Sequence, residues 1–464
     1  MLLVPSMRDK TAAVLGLGRS GLAACRALAE SGARIWAWDD DEQRRAGAAA
    51  AGAAIVDLGL CDWARVDRLV LSPGIAHTFP RPHRLVSQAR AAGVAIIGDV
   101  ELLAENQPNR RIVGITGTNG KSTTTALIGA LLRDAGIGMQ VGGNIGLPVL
   151  DLLPKPSDDT YVLELSSYQL ELTEHLACAV AVTLNLTPDH LDRHGGMVGY
   201  GQAKQRIFRN QGANDWAVVG VDDAFGRTLV SELAATRQVV PVAVGRALDH
   251  GVHVIDATLY DAIDGPARAV ADLGPIASLR GAHNWQNAAA AYAAVRALGV
   301  APDVAAAGLA RFAGLAHRME QVAVLDGVRY VNDSKATNAE AAARALACFE
   351  RIYWIAGGRP KEGGLDALLP WLERVRHAYL IGEAAESFAA ALAGRVSTSQ
   401  CGDLATAFDQ ASAAARLDAG NDPVVLLTPA CASFDQFADF EARGDAFKAL
   451  VSDQVRRAGA GGRC

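Results

Sequence analysis

Short apolar runs recur along the chain, each emptying into a glycine-rich or polar loop, and most are followed by a longer stretch with apolar residues at helical spacing. A run too short for a helix and apolar on both faces marks a buried parallel strand, so the pattern predicts repeated strand, loop and helix units. Strands are expected at 12–17, 34–38 and 68–71, at 161–165, 179–186, 216–220 and 239–244, and at 352–356, 378–381 and 424–427. Helices are expected at 22–31, 126–134, 281–298, 304–312 and 339–349, with a hairpin-like strand pair ending near Tyr330.

The fold class is therefore α/β. At 464 residues the chain exceeds one ordinary core and suits about three domains. The pattern divides it at 1–99, 100–313 and 314–464, an N-terminal Rossmann-like domain, a central domain of the P-loop ATPase type and a C-terminal Rossmann-like domain. Residues 106–110 form a polar connector, and the glycine- and alanine-rich 457–464 should fray.

The most informative loop lies between Arg111 and Thr125, where an apolar strand meets Gly-Thr-Asn-Gly-Lys-Ser and then a helix. Small residues at Gly114, Gly117 and Gly120 let backbone N–H groups converge, and the helix start adds partial positive charge, which together suit phosphate. Lys121 is placed to meet a terminal phosphate and Ser122 to offer its hydroxyl to Mg²⁺. The strict motif has glycine where this chain has Ile115, so this is a variant of it.

A second glycine turn, Gly16-Leu-Gly18-Arg-Ser-Gly21, follows the first strand, and Asp39 ends the next. That is the dinucleotide fingerprint, with the acid placed for a ribose hydroxyl, but it constrains backbone geometry more than cofactor identity. Ser72-Pro73-Gly74 closes another strand of the same sheet, where ligands of open α/β sheets collect.

Glu164 and the pair Asp189-His190 fall at strand ends in the sheet of the phosphate loop, where they could share a magnesium site. The bland alternatives are a solvated strand end for Glu164 and a helix-capping turn residue for His190. Asp192 and His194 read as structural, and Lys204, on a helix from about Tyr200, reads by composition as a surface lysine.

A net charge of −6 gives no sign of nucleic-acid binding. Seven cysteines lie scattered without a CxxC pair, as expected in a reducing compartment. The first ten residues lack a secretory pattern and no apolar run approaches bilayer length, so a cytoplasmic protein without membrane association is expected.

Taken together, Gly117 to Ser122, Glu164-Leu-Ser166-Ser167 with Gln169, Asp189-His190, Lys204, His283-Asn284 with Asn287, His317-Arg318 and Asn332 to Asn338 resemble the Mur ligase family over nearly the whole chain. The two turns of the first domain and the run Pro429 to Phe437 most resemble the branch that joins D-glutamate to UDP-N-acetylmuramoyl-L-alanine in peptidoglycan synthesis. The resemblance implies an ATP-dependent amide ligase working through an acyl phosphate, with Lys121, Glu164, His190 and Lys204 catalytic. It assigns ATP to Gly117, Thr118, Asn119, Gly120, Lys121, Ser122, Thr123, Asn284, Asn287, Arg318, Asp333 and Lys335. The UDP-substrate falls to Gly18, Arg19, Ser20, Asp39, Ser72, Pro73, Gly74, Asn144 and His190, so that the first glycine turn serves UDP instead of NAD.

D-glutamate is assigned to Thr337, Lys361, Ser433, Phe434 and Phe440. One Mg²⁺ would sit on Ser122 and Glu164, and a second near His190 and Lys204, the lysine carbamylated. A monomer whose C-terminal domain closes onto the centre is expected. The loop after Gly357-Gly358 departs from relatives, which often carry an acid before the lysine at 361. Rival readings are a ligase of this architecture for another amino acid, such as a folylpolyglutamate synthase, a nucleotide-switched binding protein, and an NAD oxidoreductase resting on the Gly16 turn alone.

Overall fold

The computed structural model describes residues 1–154, 156, 159–360 and 364–461. They form two compact units, residues 1–273 with 284–311, and residues 274–283 with 312–464. Lys361 lies outside the described residues.

The first unit holds two sheets. Strands β1 (Thr11–Leu15), β2 (Arg34–Trp38), β3 (Ala54–Ile55), β4 (Arg68–Leu71) and β5 (Ala95–Ile97) pair in parallel in the order 3-2-1-4-5. The central strand β1 is buried throughout, as its unbroken run of apolar and small residues requires. It stops at Leu15, short of the expected 17, because Gly16 takes φ 86° and turns the chain.

The second sheet contains β6 (Arg111–Thr116), β7 (Met139–Gly143), β8 (Thr160–Glu164), β9 (Val180–Thr183), β10 (Trp216–Gly220), β11 (Gln238–Val244), β12 (Gly251–Ile255), β13 (Thr258–Ala262) and β14 (Arg268–Asp272). Their order is 14-13-12-11-10-9-6-8-7, parallel from β7 to β12 and antiparallel at the β12–β13–β14 edge. Strand β6 therefore lies between β8 and β9, and the loops leaving all three open at one carboxyl edge.

Gly114 belongs inside β6 and not to the turn. A Cβ there would lie 2.7 Å from Cys178 Sγ, so its role is close packing within the sheet layer. The following helix is Lys121–Asp134, so its first turn lies within the 111–125 segment as expected, with Gly120 as the N-cap. The two sheets of this unit are tied by Leu2 N to Leu150 O (2.8 Å), Gly98 N to Leu172 O (3.0 Å) and an Arg26–Asp151 ion pair (2.7 Å). One apolar core runs through both, with Leu28, Val100 and Leu163 among its members.

The second unit is built on β15 (Glu320–Leu325), β16 (Val328–Asn332), β17 (Ile352–Gly357), β18 (Val375–Ile381), β19 (Thr398–Gly402) and β20 (Val424–Leu427), in the order 15-16-20-17-18-19. The β15–β16 hairpin is antiparallel and the rest parallel, so β20 lies between β16 and β17 and their following loops share one edge. The last helix is Phe440–Gly461, so its backbone extends past Arg457, where fraying was expected. The six described cysteines are free thiols. No described helix is long and apolar enough to cross a membrane.

Candidate active site

At the end of β6, Gly117 (φ 144°) and Gly120 (φ 87°) adopt backbone conformations that a side chain resists. Gly120 has a second constraint, since a Cβ there would lie 2.1 Å from Asn287 Oδ1. The loop is buttressed from β9: Thr118 N donates to Asn185 O (2.9 Å) and Asn119 N to Asn185 Oδ1 (3.0 Å). Asn185 Nδ2 donates to Gln286 Oε1 (2.9 Å), and Gln286 Nε2 to Asp222 Oδ2 (3.0 Å). Two amides expected to face a phosphate are thus held by Asn185 instead. No motif marked Asn185, Gln286 or Asp222; Asn185, at the end of an apolar run beside Thr-Pro, was the only one with a signal.

Asn284 and Asn287 stand at the start of the helix Ala282–Ala297 and are buried. Asn287 Nδ2 donates to Asn284 Oδ1 (3.1 Å), and Thr124 Oγ1 bonds Asn287 Oδ1 (3.3 Å), which brings this pair against the first turn of Lys121–Asp134. Ser122 is buried in that same turn and Thr123 follows it.

Two lysines meet on one carbonyl. Lys121 Nζ donates to Gly117 O (3.0 Å) and Thr118 O (2.8 Å), and Lys204 Nζ also donates to Gly117 O (2.8 Å). Lys204 is 1 % exposed, which overturns its reading as a surface residue. Helix Met197–Gln205 buries Tyr200 and Lys204 on one face, and the amine lies 4.4 Å from the Tyr200 ring centroid. Burial, followed by the charge of Lys121, lowers the Lys204 pKa to about 6 against a weaker opposing pull from Asp189. That shift favours the neutral amine at Lys204.

Glu164 ends β8 and is 2 % exposed, not a solvated strand end. Its Oε1 accepts from Asn144 Nδ2 (2.7 Å), while its Oε2 is buried without a hydrogen-bond partner. An ionisable oxygen left in that position costs free energy unless something else meets it, and a hard divalent cation fits that chemistry. His190, half exposed, takes φ 52° at the start of Leu191–His194 and makes no side-chain cap bond. Its Nε2 lies 3.5 Å from Asp189, and burial, then His194, Lys121 and Lys204, lower its pKa against the pull of Asp189, which favours the neutral, ligating imidazole. His194 is buried with both ring nitrogens engaged, by Ser167 Oγ (2.9 Å) and Glu171 Oε1 (3.0 Å).

In the first sheet, a cavity of about 850 Å³ opens over the carboxyl ends of β1, β2 and β4, lined by Gly16, Gly18, Asp39, Ser72 and Gly74 among others. Pro73 belongs to the same turn. Asp39 does more than wait for a ribose: its Oδ2 accepts from Leu17 N (2.7 Å) and its Oδ1 from Asp41 N (3.0 Å), which fixes the turn. These bonds and Arg44 hold its carboxyl below the usual range in spite of burial, the largest single influence. Arg19 bonds Gly146 O across to the loop carrying Asn144, and Ser20 lies in the first turn of the helix Arg19–Glu30.

The remaining assigned residues belong to the second unit. Asp333 is buried and accepts from Met319 N (3.1 Å) and Thr428 Oγ1 (3.0 Å). Burial pushes it up to about 7, against those bonds and the charge of Arg318. Lys335 N donates to His317 O (3.1 Å), Lys335 Nζ lies 3.5 Å from the Phe440 ring centroid, and Thr337 N bonds Lys335 O (2.8 Å). Ser433 is buried and its carbonyl accepts from Phe437 N (2.8 Å), whereas Phe434 is 63 % exposed. Arg443, to which no motif pointed, is fully buried and joins these loops: it bonds Ser334 Oγ (3.0 Å), Ser334 O (2.9 Å) and Cys431 O (3.1 Å).

Family models match three segments: a MurD-like Mur ligase N-terminal domain over 10–98, a Mur ligase middle domain over 115–295 and a Mur ligase, glutamate ligase domain over 317–431. Proteins named UDP-N-acetylmuramoylalanine--D-glutamate ligase are similar along the chain. The one from Caulobacter sp. (strain K31) is 52 % identical, covering 97 % of this chain and 98 % of its own, and that from Rhodospirillum rubrum is 51 % identical over 95 % and 94 %. Among solved structures, MurF from Acinetobacter baumannii matches with TM-score 0.57 at 19 % identity over 95 % of this chain and 93 % of its own. MurC from Thermotoga maritima matches with TM-score 0.57 at 16 % identity over 96 % and 99 %, a likeness of fold. With about half of its residues shared along nearly its full length, the chain belongs to the Mur ligase family.

Proposed function

We propose that this protein joins D-glutamate to UDP-N-acetylmuramoyl-L-alanine at the expense of ATP, in the construction of peptidoglycan. The observation that carries the reaction type is the meeting of Lys121 and Lys204 on Gly117 O, at the sheet edge where Glu164 holds an unpartnered oxygen. The names of the relatives carry the choice of substrates.

A carboxylate resists an amine because its oxygen is a poor leaving group, so ATP first converts it to an acyl phosphate. The amine then adds to that carbonyl, and phosphate leaves as the amide forms. Transfer between two anions needs positive charge and alignment more than covalent help from the protein. Lys121, released from its loop carbonyls, supplies a cation at the terminal phosphate. Ser122 and Glu164 would hold one Mg²⁺, with His190 and Lys204 near a second; bound there, the metal neutralises phosphate charge. A neutral Lys204 amine is the form able to add CO₂: its nitrogen bonds the carbon, one N–H proton passes to solvent, and the carbamate would offer a carboxylate oxygen to a metal where the amine now lies.

The Gly18–Ser20 turn, Asp39 and Ser72–Gly74 take the uridine diphosphate, with Asn144 toward the muramoyl-alanine end. Asn284, Asn287, Arg318, Asp333 and Lys335 serve ATP, and Thr337, Lys361, Ser433, Phe434 and Phe440 serve D-glutamate. The division at 99 leaves the turns that take the uridine diphosphate in the first domain, and the residues that take D-glutamate all follow the division at 313. A monomer working in the cytoplasm, where both nucleotides are made, completes the reading.

The test is acid-quenched product analysis with ATP, UDP-N-acetylmuramoyl-L-alanine and a panel of amino acids. Equal amounts of ADP, phosphate and UDP-linked dipeptide with D-glutamate alone are expected. ATP turnover indifferent to either acceptor, or equal use of another amino acid, would overturn it.

A further inference from the structure

Between the nucleotide crevice of the first sheet and the loop carrying His190, one side chain touches both sides. Arg193 Nη1 donates to Gly74 O (2.9 Å), the last residue of the Ser72–Gly74 turn. Its guanidinium carbon lies 4.6 Å from the Tyr168 ring centroid. The Tyr168 ring is in turn 5.2 Å from the ring of His190 and stacks at 5.3 Å on that of His194. A carbonyl expected beside the UDP diphosphate is thus connected through one cation and one aromatic ring to an imidazole expected at the reacting centre.

The surroundings make this connection stiff. His194 is fixed at both nitrogens by Ser167 and Glu171, and Glu171 also faces His77, in the loop after β4, at 3.9 Å. Phe79, from the loop after the turn, covers Gly195 so closely that a Cβ there would lie 2.8 Å from its ring. Arginine suits the position in a way lysine does not, because its flat guanidinium can lie on a ring and still donate in its own plane. Its Nε is buried with no hydrogen-bond partner, a cost the residue bears while keeping this pose.

We propose that Arg193 is a positioning residue that registers the Ser72–Gly74 turn against His190 through Tyr168, so that a seated UDP-substrate aligns the phosphoryl-transfer centre. The inference rests on the ligase reading above. It adds a residue that touches neither reacting group yet sets how the substrate end and the metal end of the site are aligned.

The experiment measures steady-state kinetics for wild type, Arg193→Ala, Arg193→Lys, Tyr168→Leu and the Arg193→Ala/Tyr168→Leu double variant. Each is first checked for folding by circular dichroism. Loss of the stacked pair should raise KM for UDP-N-acetylmuramoyl-L-alanine and lower kcat by about tenfold each, leaving KM for ATP within about twofold. Arg193→Lys should behave like Arg193→Ala, because charge alone does not replace the stack. The double variant should be no more than about twofold worse than the poorer single one, since both break the same connection.

Additive losses, rescue by lysine, a matching rise in KM for ATP or unchanged kinetics would each overturn the proposal. If Arg193→Ala does not fold, Arg193→Met, which keeps the stem over Tyr168, takes its place with the same expectations. Wild type without three-substrate turnover would refute the ligase reading itself, whereas a working wild type with unaltered variants refutes only the coupling.

Discussion

The first unit contains the same backbone device twice, and the two copies are equipped for different tasks. Both place a glycine turn between a buried parallel strand and a helix N-terminus, at Gly16–Gly21 and at Gly117–Ser122. Around the first, the ionisable partner is Asp39, spent on Leu17 N and Asp41 N, and the turn faces a broad cavity. Around the second, two lysine nitrogens meet one carbonyl, and the neighbouring strand ends in a carboxylate with a bare oxygen. A glycine turn makes a place for an anion. Whether the anion is held or made to react depends on the cations and acids brought by the next strands and helices.

The comparison predicts that damage to the second turn stops chemistry and damage to the first weakens binding. Lys121→Ala should lower kcat by about a thousandfold or more, measured as phosphate release, with UDP-substrate affinity nearly intact. Glu164→Gln should cost about a hundredfold and raise the Mg²⁺ concentration needed for half-maximal rate, while the folded state melts no earlier, since the amide keeps an acceptor for Asn144 and removes a buried carboxylate oxygen that has no partner. Asp39→Ala should instead raise KM for the UDP-substrate by about tenfold, with KM for ATP unchanged. If Asp39→Ala abolished turnover at saturating substrate, the division of labour between the turns would fail.

The smallest effect is on stability, and it concerns the amine behind the second turn. Below about pH 6 Lys204 is charged in the folded and unfolded chain alike, so the full cost of burying a cation is present. Above it the unfolded chain holds the extra proton, and the free energy of unfolding climbs with pH toward the ordinary lysine range. Lys204→Met, melted without CO₂ or Mg²⁺, should therefore exceed wild type in Tm by about 2–4 °C near pH 5.5 and show a shallower rise with pH. Equal slopes for the two proteins would show that the amine is not neutral when folded.

Much of this was legible in the chain. Strands at 34–38, 68–71, 216–220 and 424–427 occur as expected, because an apolar run bounded by glycine or charge leaves little choice. The Gly-Lys-Ser step and the acids at strand ends were legible for the same reason, being tied to the ends of obvious strands. The burial of Lys204 was not, since nothing in Met197–Gln205 says which face will turn inward, and only the resemblance to the family marked the residue. Gly114 was misread because a glycine needed for Cys178 and one needed for a turn look alike in sequence. Asn185, Arg193 and Arg443 act through partners far along the chain, and no local spacing encodes such contacts.

The central claim is that the turn at 117–122 drives phosphoryl transfer onto the carboxylate of the UDP-substrate. Its most direct test is to run wild-type turnover with ¹⁸O in both carboxylate oxygens of UDP-N-acetylmuramoyl-L-alanine and to analyse the phosphate by mass spectrometry. One ¹⁸O in each phosphate released, in step with dipeptide formed, is the expected result. Unlabelled phosphate accompanying normal dipeptide formation would contradict the account.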